Sequence, residues 1–425
     1  MSSSPINSAT ASRCTSSPIC RVGLVLLTCW LGISSHAYAQ YTDTILYNFN
    51  GPPNDGRSPN STLIQTADGS FYGTTQFGGT NGGANQTSGI IFKMTPAGSL
   101  TVLHNFSGPP DGGTPGGSLV QGSDGLFYGT TESGGVGSLP FGTVFKMTAS
   151  GTLTVLHSFF DGTVPSDGDE PTGALVAGAD GNFYGTTFSG GVTGEGTIYN
   201  ISPTTGAVTI LHSFSDTTGD GAQPLAGLIL ASDGNFYGTT SKGGANNFGT
   251  IFRMTMTGGT AAVTILHSFS NATTDGDDPE ARLTQGTDGN LYGTTSVGGT
   301  AGQGTVFEMT TSGTVTILHS FAGGPSDGTA PRAELIQGTD GNLYGTTSGG
   351  GSADKGTVFK ITPIGTLTVL HNFNDGSVAN DGVLPIAGLI QGLDGNLYGA
   401  AAEGGSASDG AIFKLSPSSV APMSF

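Results

Sequence analysis

One eight-residue segment, DGNFYGTT at 180–187, returns in close copies along the whole chain. Its Asp-Gly pair begins at seven positions, Asp68, Asp124, Asp180, Asp233, Asp288, Asp340 and Asp394, which lie 52 to 56 residues apart. A second motif, D-G-x-x-P-x-x-x-L, begins 13 residues before each copy, at Asp55, Asp111, Asp167, Asp220, Asp275, Asp327 and Asp381. A constant interval inside a drifting period indicates a rigid repeated unit joined by loops of variable length.

Each repeat contains four short runs rich in β-branched and aromatic residues. In the second repeat they are SLVQG (118–122), LFYGTT (126–131), TVFKMT (143–148) and TLTVLHSF (152–159). Short Gly-containing segments separate the first run from the second and the third from the fourth, as in tight hairpins. Four antiparallel strands in one repeat are typical of a propeller blade. Because side chains alternate along a strand, we expect Leu153, Val155, His157 and Phe159 to share one face against a neighbouring blade.

The two ends of the repeat region complement each other. The LHSF run occurs six times, and the seventh repeat ends after AIFKLSPSS (411–419) without a fourth strand. The segment TILYNF (44–49) is a fourth strand that stands before the first complete set. We therefore predict an all-β fold, a single seven-bladed β-propeller with four antiparallel strands per blade, closed by the N-terminal strand completing the last blade. Closure removes the exposed sheet edges that invite aggregation.

The predicted boundaries follow the repeats. Residues 1–39 form a signal peptide, residues 40–419 the propeller with closing strand 44–49, and residues 420–425 a short tail. The repeats lie at 55–106, 111–159, 167–214, 220–269, 275–321, 327–373 and 381–415.

The first 39 residues have the composition of a secretory signal. Arg13 and Arg21 precede an apolar run at 22–33, and an A-x-A site ends at Ala39. The run is too short to span a bilayer. All three cysteines lie in this segment, so the mature chain would have no disulfide. We expect a secreted, extracellular or outer cell-surface protein with no transmembrane helix in its mature chain.

The net charge of the mature chain limits the kinds of molecule that it can bind. Once the two leader arginines are removed, 10 basic residues face 30 acidic ones. This acidity disfavours nucleic acid, whose phosphates would be repelled. We expect a monomer whose partner is a polysaccharide or a surface protein.

The string D-G-x-[FL]-Y-G-T-T-x-x-G-G, followed by G-T-[VI]-F-K and L-H-[SN]-F, resembles the GloVer-type (Gloeo/Verruco) tandem-repeat family of exported bacterial β-propeller-like proteins. The resemblance covers about residues 44–415. It implies a propeller-like surface or secreted protein, and it supplies no catalytic residues that could be assigned to this sequence.

The histidines that follow the leader all occupy the same repeat position. They are His104, His157, His212, His267, His319 and His371. A catalytic histidine is expected at one or two places, so a six-fold row is typical of half-buried side chains hydrogen-bonded between blades. No H-E-x-x-H or Gly-Lys-Ser motif is present. We therefore assign no catalytic residue, and non-enzymatic binding is the preferred interpretation.

Two acidic clusters are candidate sites for a hard cation such as calcium, although no cofactor is otherwise expected. The residues that add to the repeated Asp are Asp169, Glu170, Asp277 and Asp278. No segment has the spacing of an EF-hand loop. The repeated Asp of D-G-x-x-P itself is expected to cap its own turn.

Loop lengths locate the candidate binding surface. The loops between second and third strands have 13, 10, 8, 8, 8, 8 and 8 residues, and the inter-blade loops have 4 to 7. Both sets emerge on one side of a propeller, so variation is concentrated on one rim. The candidate binding residues there are Phe77, Asn81, Asn85, Glu132, Leu139, Phe141 and Glu195. They predict a propeller that binds a glycan or a protein through this rim. Two alternatives stay open: a glycan-cleaving hydrolase or lyase using acids such as Glu132 and Glu195, and a purely structural surface protein.

Overall fold

The computed structural model describes residues 41–80, 88–136, 141–215, 217, 219–270 and 272–418. Every regular element in these ranges is a β-strand, and the strands form seven four-stranded antiparallel sheets. The predicted seven-bladed β-propeller is confirmed. The described ranges contain no helix that could cross a membrane. The predicted signal peptide lies outside them.

The strands of the seven blades follow in chain order. The first strands are Ile64–Gln65, Val120–Gln121, Val176–Ala177, Ile229–Leu230, Thr284–Gln285, Ile336–Gln337 and Ile390–Gln391. The second strands are Phe71–Thr75, Phe127–Thr131, Phe183–Thr187, Phe236–Thr240, Leu291–Thr295, Leu343–Thr347 and Leu397–Ala401. The third strands are Ile90–Met94, Thr143–Met147, Thr197–Ile201, Thr250–Thr257, Thr305–Met309, Thr357–Ile361 and Ala411–Pro417. The fourth strands are Leu100–Asn105, Leu153–Ser158, Val208–Ser213, Thr260–Ser268, Val315–Ser320, Leu367–Asn372 and Tyr41–Asn48.

Two-residue strands add a small ladder to six of the seven blades. They pair Gly56–Arg57 with Phe77–Gly78, Gly168–Asp169 with Ser189–Gly190, Gly221–Ala222 with Lys242–Gly243, Gly276–Asp277 with Val297–Gly298, Gly328–Thr329 with Gly349–Gly350, and Gly382–Val383 with Glu403–Gly404. Each ladder joins an inter-blade loop to the loop between second and third strands. The two loop sets therefore share one side of the propeller, as predicted.

The amino-terminal strand closes the ring. Tyr41–Asn48 pairs antiparallel with Ala411–Pro417 as the fourth strand of blade 7. At the seam where blade 7 packs against blade 1, the ring centroid of Tyr398 in blade 7 lies 4.4 Å from that of Phe71 in blade 1. The seam between the last and first blades is thus built like the others.

The core is divided among the seven seams between blades. At each seam, the Tyr of one second strand packs against the Phe or Leu of the next, as Tyr128 does on Phe183 with ring centroids 4.2 Å apart. The Phe that follows each fourth strand, such as Phe159, is also buried there. Burying a Phe contributes about 1.5–3 kcal/mol. Repeating this contact set explains why the sequence repeat is so uniform.

Two details of the predicted packing are wrong. Val155 pairs with Phe145 but His157 pairs with Val144, because a β-bulge adds one residue to the fourth strand. The bulge breaks the alternation, so Leu153 packs in the seam with blade 1 while Phe159 packs in the seam with blade 3. The first strand is also shorter than predicted, since the residues before Val120 line the centre of the ring.

Candidate functional site

The loop side of the propeller carries an unusual backbone feature. The residue before the Pro of each D-G-x-x-P motif has a positive φ, between 49° and 58°. These rim residues are Ser58, Thr114, Glu170, Gln223, Asp278, Ala330 and Leu384. A non-Gly residue in this region costs about 1–2 kcal/mol. Many Gly residues occupy positive φ elsewhere in the chain, yet none is used here and the seven side chains all differ. The seven rim positions therefore carry side chains although their backbone conformation favours Gly.

Backbone hydrogen bonds hold each rim residue between two blades. The amide of Glu170 donates to the carbonyl of Phe141 at 3.0 Å, and the carbonyl of Glu170 accepts from the amide of Phe188 at 3.0 Å. The same pair of bonds recurs at the other six rim residues. The backbone is thus fixed while the side chain is free to vary, which suits a surface that specifies a ligand.

A second ring of variable side chains lies inside the rim. These inner-ring residues directly follow each second strand and are Gln76, Glu132, Phe188, Ser241, Ser296, Ser348 and Ala402. All seven donate their amides to rim carbonyls. Gln76, Glu132 and Phe188, which belong to blades 1, 2 and 3, therefore supply an amide, a carboxyl and an aromatic ring.

The centre of the ring is a cavity of about 110 Å³ lined by residues of all seven blades. Charged residues line it on blades 5 and 6 only, and we name Glu280, Arg282, Arg332 and Glu334 the ion-paired sector. The Arg332 guanidinium binds both oxygens of Glu280, while Arg282 Nη1 lies 3.8 Å from Glu334 Oε2. These charges neutralise one another, so they are less available to a ligand.

A different set of charges lies on blades 2 and 3, and we name Glu132, Asp169 and Glu170 the acidic sector. Burial raises the pKa of Glu132 to about 7; a hydrogen bond from Gln76 opposes the shift and the charge of Glu170 adds to it. Burial, followed by the charge of Glu170, also raises the pKa of Asp169 to about 6. The Glu132 carboxyl contacts Gly116, where a side chain would collide with it. Perturbed carboxyls at the mouth of a cavity are typical of functional sites.

Aromatic rings border the acidic sector. Phe188 is half-buried and occupies the inner-ring position of blade 3, the blade next to that of Glu132. Phe141 packs on Phe160 with centroids 4.5 Å apart, and the Phe160 side chain is largely exposed. The hydrogen bond from the Glu170 amide to the Phe141 carbonyl connects these rings to the acidic sector. Carboxyls, the Gln76 amide and apolar faces thus lie on three adjacent blades, 1 to 3.

The other predicted binding residues have varied placements. Phe77 is half-buried, and the Arg57 guanidinium lies 5.2 Å from its ring centre. Glu195 occupies the position equivalent to Phe141, with its carbonyl bound by Gln223, and lies outside the acidic sector. Asn81, Asn85 and Leu139 fall outside the described residues.

The predicted cation ligands do not assemble into a recognisable centre. Asp278 Oδ1 lies 3.8 Å from Lys242 Nζ, and burial raises the pKa of its neighbour Asp277. Within the described ranges, neither Asp169 and Glu170 nor Asp277 and Asp278 join a group of three potential ligand atoms within 4.8 Å of one another. Calcium at these clusters stays a prediction.

The row of histidines has the structural role that repetition indicated. Each Nε2 lies 2.9–3.2 Å from the Asp of the following D-G-x-x-P motif, as in His157 with Asp167 at 3.0 Å. That Asp also accepts backbone amides of the inter-blade loop, for example Phe160 N at 3.1 Å. The Asp therefore joins the fourth strand to the loop in addition to capping it.

Several site residues were missed from the sequence. Glu280 and Arg332 directly follow the Pro of their motif, at a position that differs in all seven repeats. Gln76 and Phe188 directly follow the last residue of the second strand, a position that is Ser in three repeats and differs in the other four. Variation at a fixed motif offset is the signal that could have identified them.

One solved structure supports the fold, and a second shows a weaker similarity. The "extracellular domain of the putative hybrid two component system BT3049" from B. thetaiotaomicron has a TM-score of 0.56 and 12% identity, over 89% of this chain and 42% of that one. The chain therefore spans less than half the length of that protein. Periplasmic gluconolactonase PpgL from Pseudomonas aeruginosa has a TM-score of 0.47 and 17% identity, over 73% of this chain and 84% of that one. No curated protein matches the chain.

The repeat itself gives the more specific comparison. The Gloeobacter/Verrucomicrobia repeat matches residues 33–252 and 226–423, which together include all the described blades. The chain belongs to the Gloeobacter/Verrucomicrobia repeat family.

Proposed function

We propose that this protein is a secreted or cell-surface, non-enzymatic binding propeller that holds a glycan on its loop side at the acidic sector. The observation that carries the proposal is the ring of seven different rim side chains, each on a backbone conformation that favours Gly. Backbone strain that persists at every repeat is typical of functional surfaces. The secretory leader predicted at 1–39 supports an extracellular ligand.

The chemistry of the acidic sector favours a polyhydroxylated ligand. Carboxylate oxygens accept hydrogen bonds from hydroxyl groups, and the Gln76 amide can both donate and accept. Phe188, Phe141 and Phe160 offer apolar faces to the C–H faces of a sugar ring. A few polar groups beside aromatic surface are the usual composition of a small-molecule site.

A glycan array probed with the purified protein tests this proposal, with and without calcium. We expect a glycan to bind, and Glu132→Gln and Phe188→Ala each to lower its affinity about tenfold or more, since the first removes a charged hydrogen-bond acceptor and the second an apolar contact face. Glu403→Gln is the matched control, because it removes an equal charge from an exposed residue of the two-residue strand Glu403–Gly404 in blade 7. Absence of any glycan ligand, or equal affinity in all four proteins, contradicts the proposal and favours a purely structural role.

One observation favours a second candidate, an extracellular glycan-cleaving hydrolase or lyase. Such an enzyme needs a carboxyl with a raised pKa near a second carboxylate, and Glu132 lies beside Glu170 with a pKa of about 7. Product release from a bound glycan, lost in Glu132→Gln while binding persists, would support catalysis. Binding without product supports the first proposal.

A further inference from the structure

The closing strand carries a side chain that breaks the seven-fold pattern. In blade 7, Asp43 on the fourth strand pairs with Leu415, the fifth residue of the third strand. In blade 3, Val208 pairs in the same way with Ile201, the fifth residue of that blade's third strand. The equivalent residues of the six other blades are apolar: Leu100, Leu153, Val208, Val263, Val315 and Leu367. One seam of the ring, between blades 6 and 7, therefore buries a carboxyl where the others bury a hydrocarbon.

Asp43 faces the His–Asp pair of blade 6. His371 Nε2 lies 3.6 Å from Asp43 Oδ2 and 3.1 Å from Asp381 Oδ2. The three side chains are between 1% and 6% exposed. Their potential ligand atoms lie within 4.8 Å of one another, and no other such group of three occurs in the described ranges.

Three buried oxygens of this group have no hydrogen-bond partner: Asp43 Oδ1, Asp43 Oδ2 and Asp381 Oδ1. The Thr44 amide interacts with the Asp43 carboxyl without reaching hydrogen-bond geometry. Unpaired buried carboxylates cost several kcal/mol each. A protonated His371 would still leave one net negative charge among the three groups, and Asp375 adds a further negative charge nearby. A divalent cation bound by neutral His371 and two carboxylates would balance their two negative charges, so that the metal and its three ligands together carry no net charge.

We propose that Asp43, His371 and Asp381 form a site for a divalent transition metal, with Zn²⁺ as the best match. One imidazole with two carboxylates suits Zn²⁺, whereas Ca²⁺ takes oxygen ligands almost exclusively. Tetrahedral ligands about 2.0–2.1 Å from a metal lie about 3.3 Å apart. The 3.1 Å and 3.6 Å separations at His371 bracket that value. The metal would replace the proton on His371 Nε2.

The three ligands come from parts of the chain that ring closure brings together. Asp43 belongs to the amino-terminal strand, His371 to the fourth strand of blade 6, and Asp381 to the loop that leads into blade 7. A bound metal would therefore link residues more than 300 positions apart and stabilise the closed ring by its binding free energy.

The blade 2–3 seam provides a built-in comparison. His157 and Asp167 there are as buried as His371 and Asp381, and they are also ten residues apart. Val208 takes the place of Asp43 at that seam. The two seams thus differ at the one residue that the proposal requires.

Calorimetric titration of the chelator-treated protein with Zn²⁺ tests the site, with Mn²⁺ and Ca²⁺ as parallel arms. We expect one equivalent of Zn²⁺ to bind and to raise Tm. Asp43→Leu installs the residue type of the other seams and should fold, yet lose more than about 100-fold in Zn²⁺ affinity, since even indirect partners of a metal matter by 10–100-fold. Asp43→Asn should show the same loss with the shape of the side chain retained. Asp167→Asn, at the control seam, should leave Zn²⁺ affinity unchanged.

Val208→Asp should rebuild the ligand set at the blade 2–3 seam and raise the stoichiometry from one equivalent to two. The proposal is overturned if the parent protein binds no Zn²⁺, if Asp43→Leu and Asp43→Asn bind it like the parent, or if Ca²⁺ binds through Asp43 in preference to Zn²⁺. A Val208→Asp variant that stays at one equivalent contradicts the claim that these three side chains suffice.

Discussion

The hydroxyl of Tyr47 donates a hydrogen bond of 2.9 Å to Asp55 Oδ2. This pair occupies the seam between blades 7 and 1, at the position that a His–Asp pair fills in the six other seams. Burial, then the hydrogen bond to Asp55, raises the pKa of Tyr47 to about 12, so the phenol keeps its proton at neutral pH. The closing seam therefore reproduces the contact of the others with a different donor.

Tyr47→Phe should destabilise the protein by about 1.5–3 kcal/mol, because it removes a donor from the buried Asp55 carboxylate. Tyr47→His installs the donor of the six other seams and should stay within about 1 kcal/mol of the parent. Urea denaturation of the three proteins measures both effects. If the His variant is less stable than the Phe variant, the two pairs are not equivalent.

Removal of residues 41–50 should abolish cooperative unfolding. The deletion exposes the edge of Ala411–Pro417 and removes Phe49, which is fully buried in the seam with blade 1. Loss of Phe49 alone is expected to cost about 3–5 kcal/mol. Thermal melting by circular dichroism tests this, with Ile364→Ala as a control because Ile364 is 88% exposed. A deletion variant that melts like its parent would show that closure does not hold the ring together.

The fold could be predicted because repetition is a redundant signal. Seven copies at a fixed internal interval, with TILYNF at one end and a missing fourth strand at the other, specify both blade number and closure. The β-bulge next to His157 could not be predicted, because the inserted Leu156 extends the apolar run from Val155 and no Gly or Pro marks the insertion. Strand alternation therefore gave the wrong face for Phe159.

The candidate site was only partly predictable. Glu132 was identified as a loop acid, yet its burial depends on the absent side chain at Gly116 in the same blade. Asp43 lies in a strand recognised as closing the ring, but its approach to His371 depends on how blades 6 and 7 meet. Contacts between distant segments leave no local pattern, so these pairings required the structure.

Ala330→Gly should stabilise the protein by about 0.5–1 kcal/mol. Ala330 is a rim residue with φ 49°, and relief of about 1–2 kcal/mol of strain outweighs the 0.5–1 kcal/mol that Gly loses to chain entropy. Ala262→Gly is the matched control, since Ala262 is an exposed residue of the strand Thr260–Ser268 and should lose about 0.5–1 kcal/mol. Urea denaturation compares the two. Equal destabilisation of both variants would show that the rim backbone carries no strain.

The stability of the protein should depend on pH through Glu132. Because burial raises the pKa of Glu132 from 4.5 to about 7, the folded state retains a proton that the unfolded state has released between these values. The stability contributed at this position therefore falls as pH rises from about 4.5 to about 7, and the full cost of about 3 kcal/mol is present above that range. Glu132→Gln keeps the shape of the side chain without the charge, so the stability of this variant relative to the parent should increase by this amount over the same pH range.

Urea denaturation at pH 4.5, 6 and 7.5 measures the change, and Glu403→Gln, at an exposed carboxyl, should show a constant difference from the parent. A Glu132→Gln difference that is the same at pH 4.5 and 7.5 would mean that the pKa of Glu132 is the same in the folded and unfolded protein, and that the acidic sector is more open to water than its burial indicates.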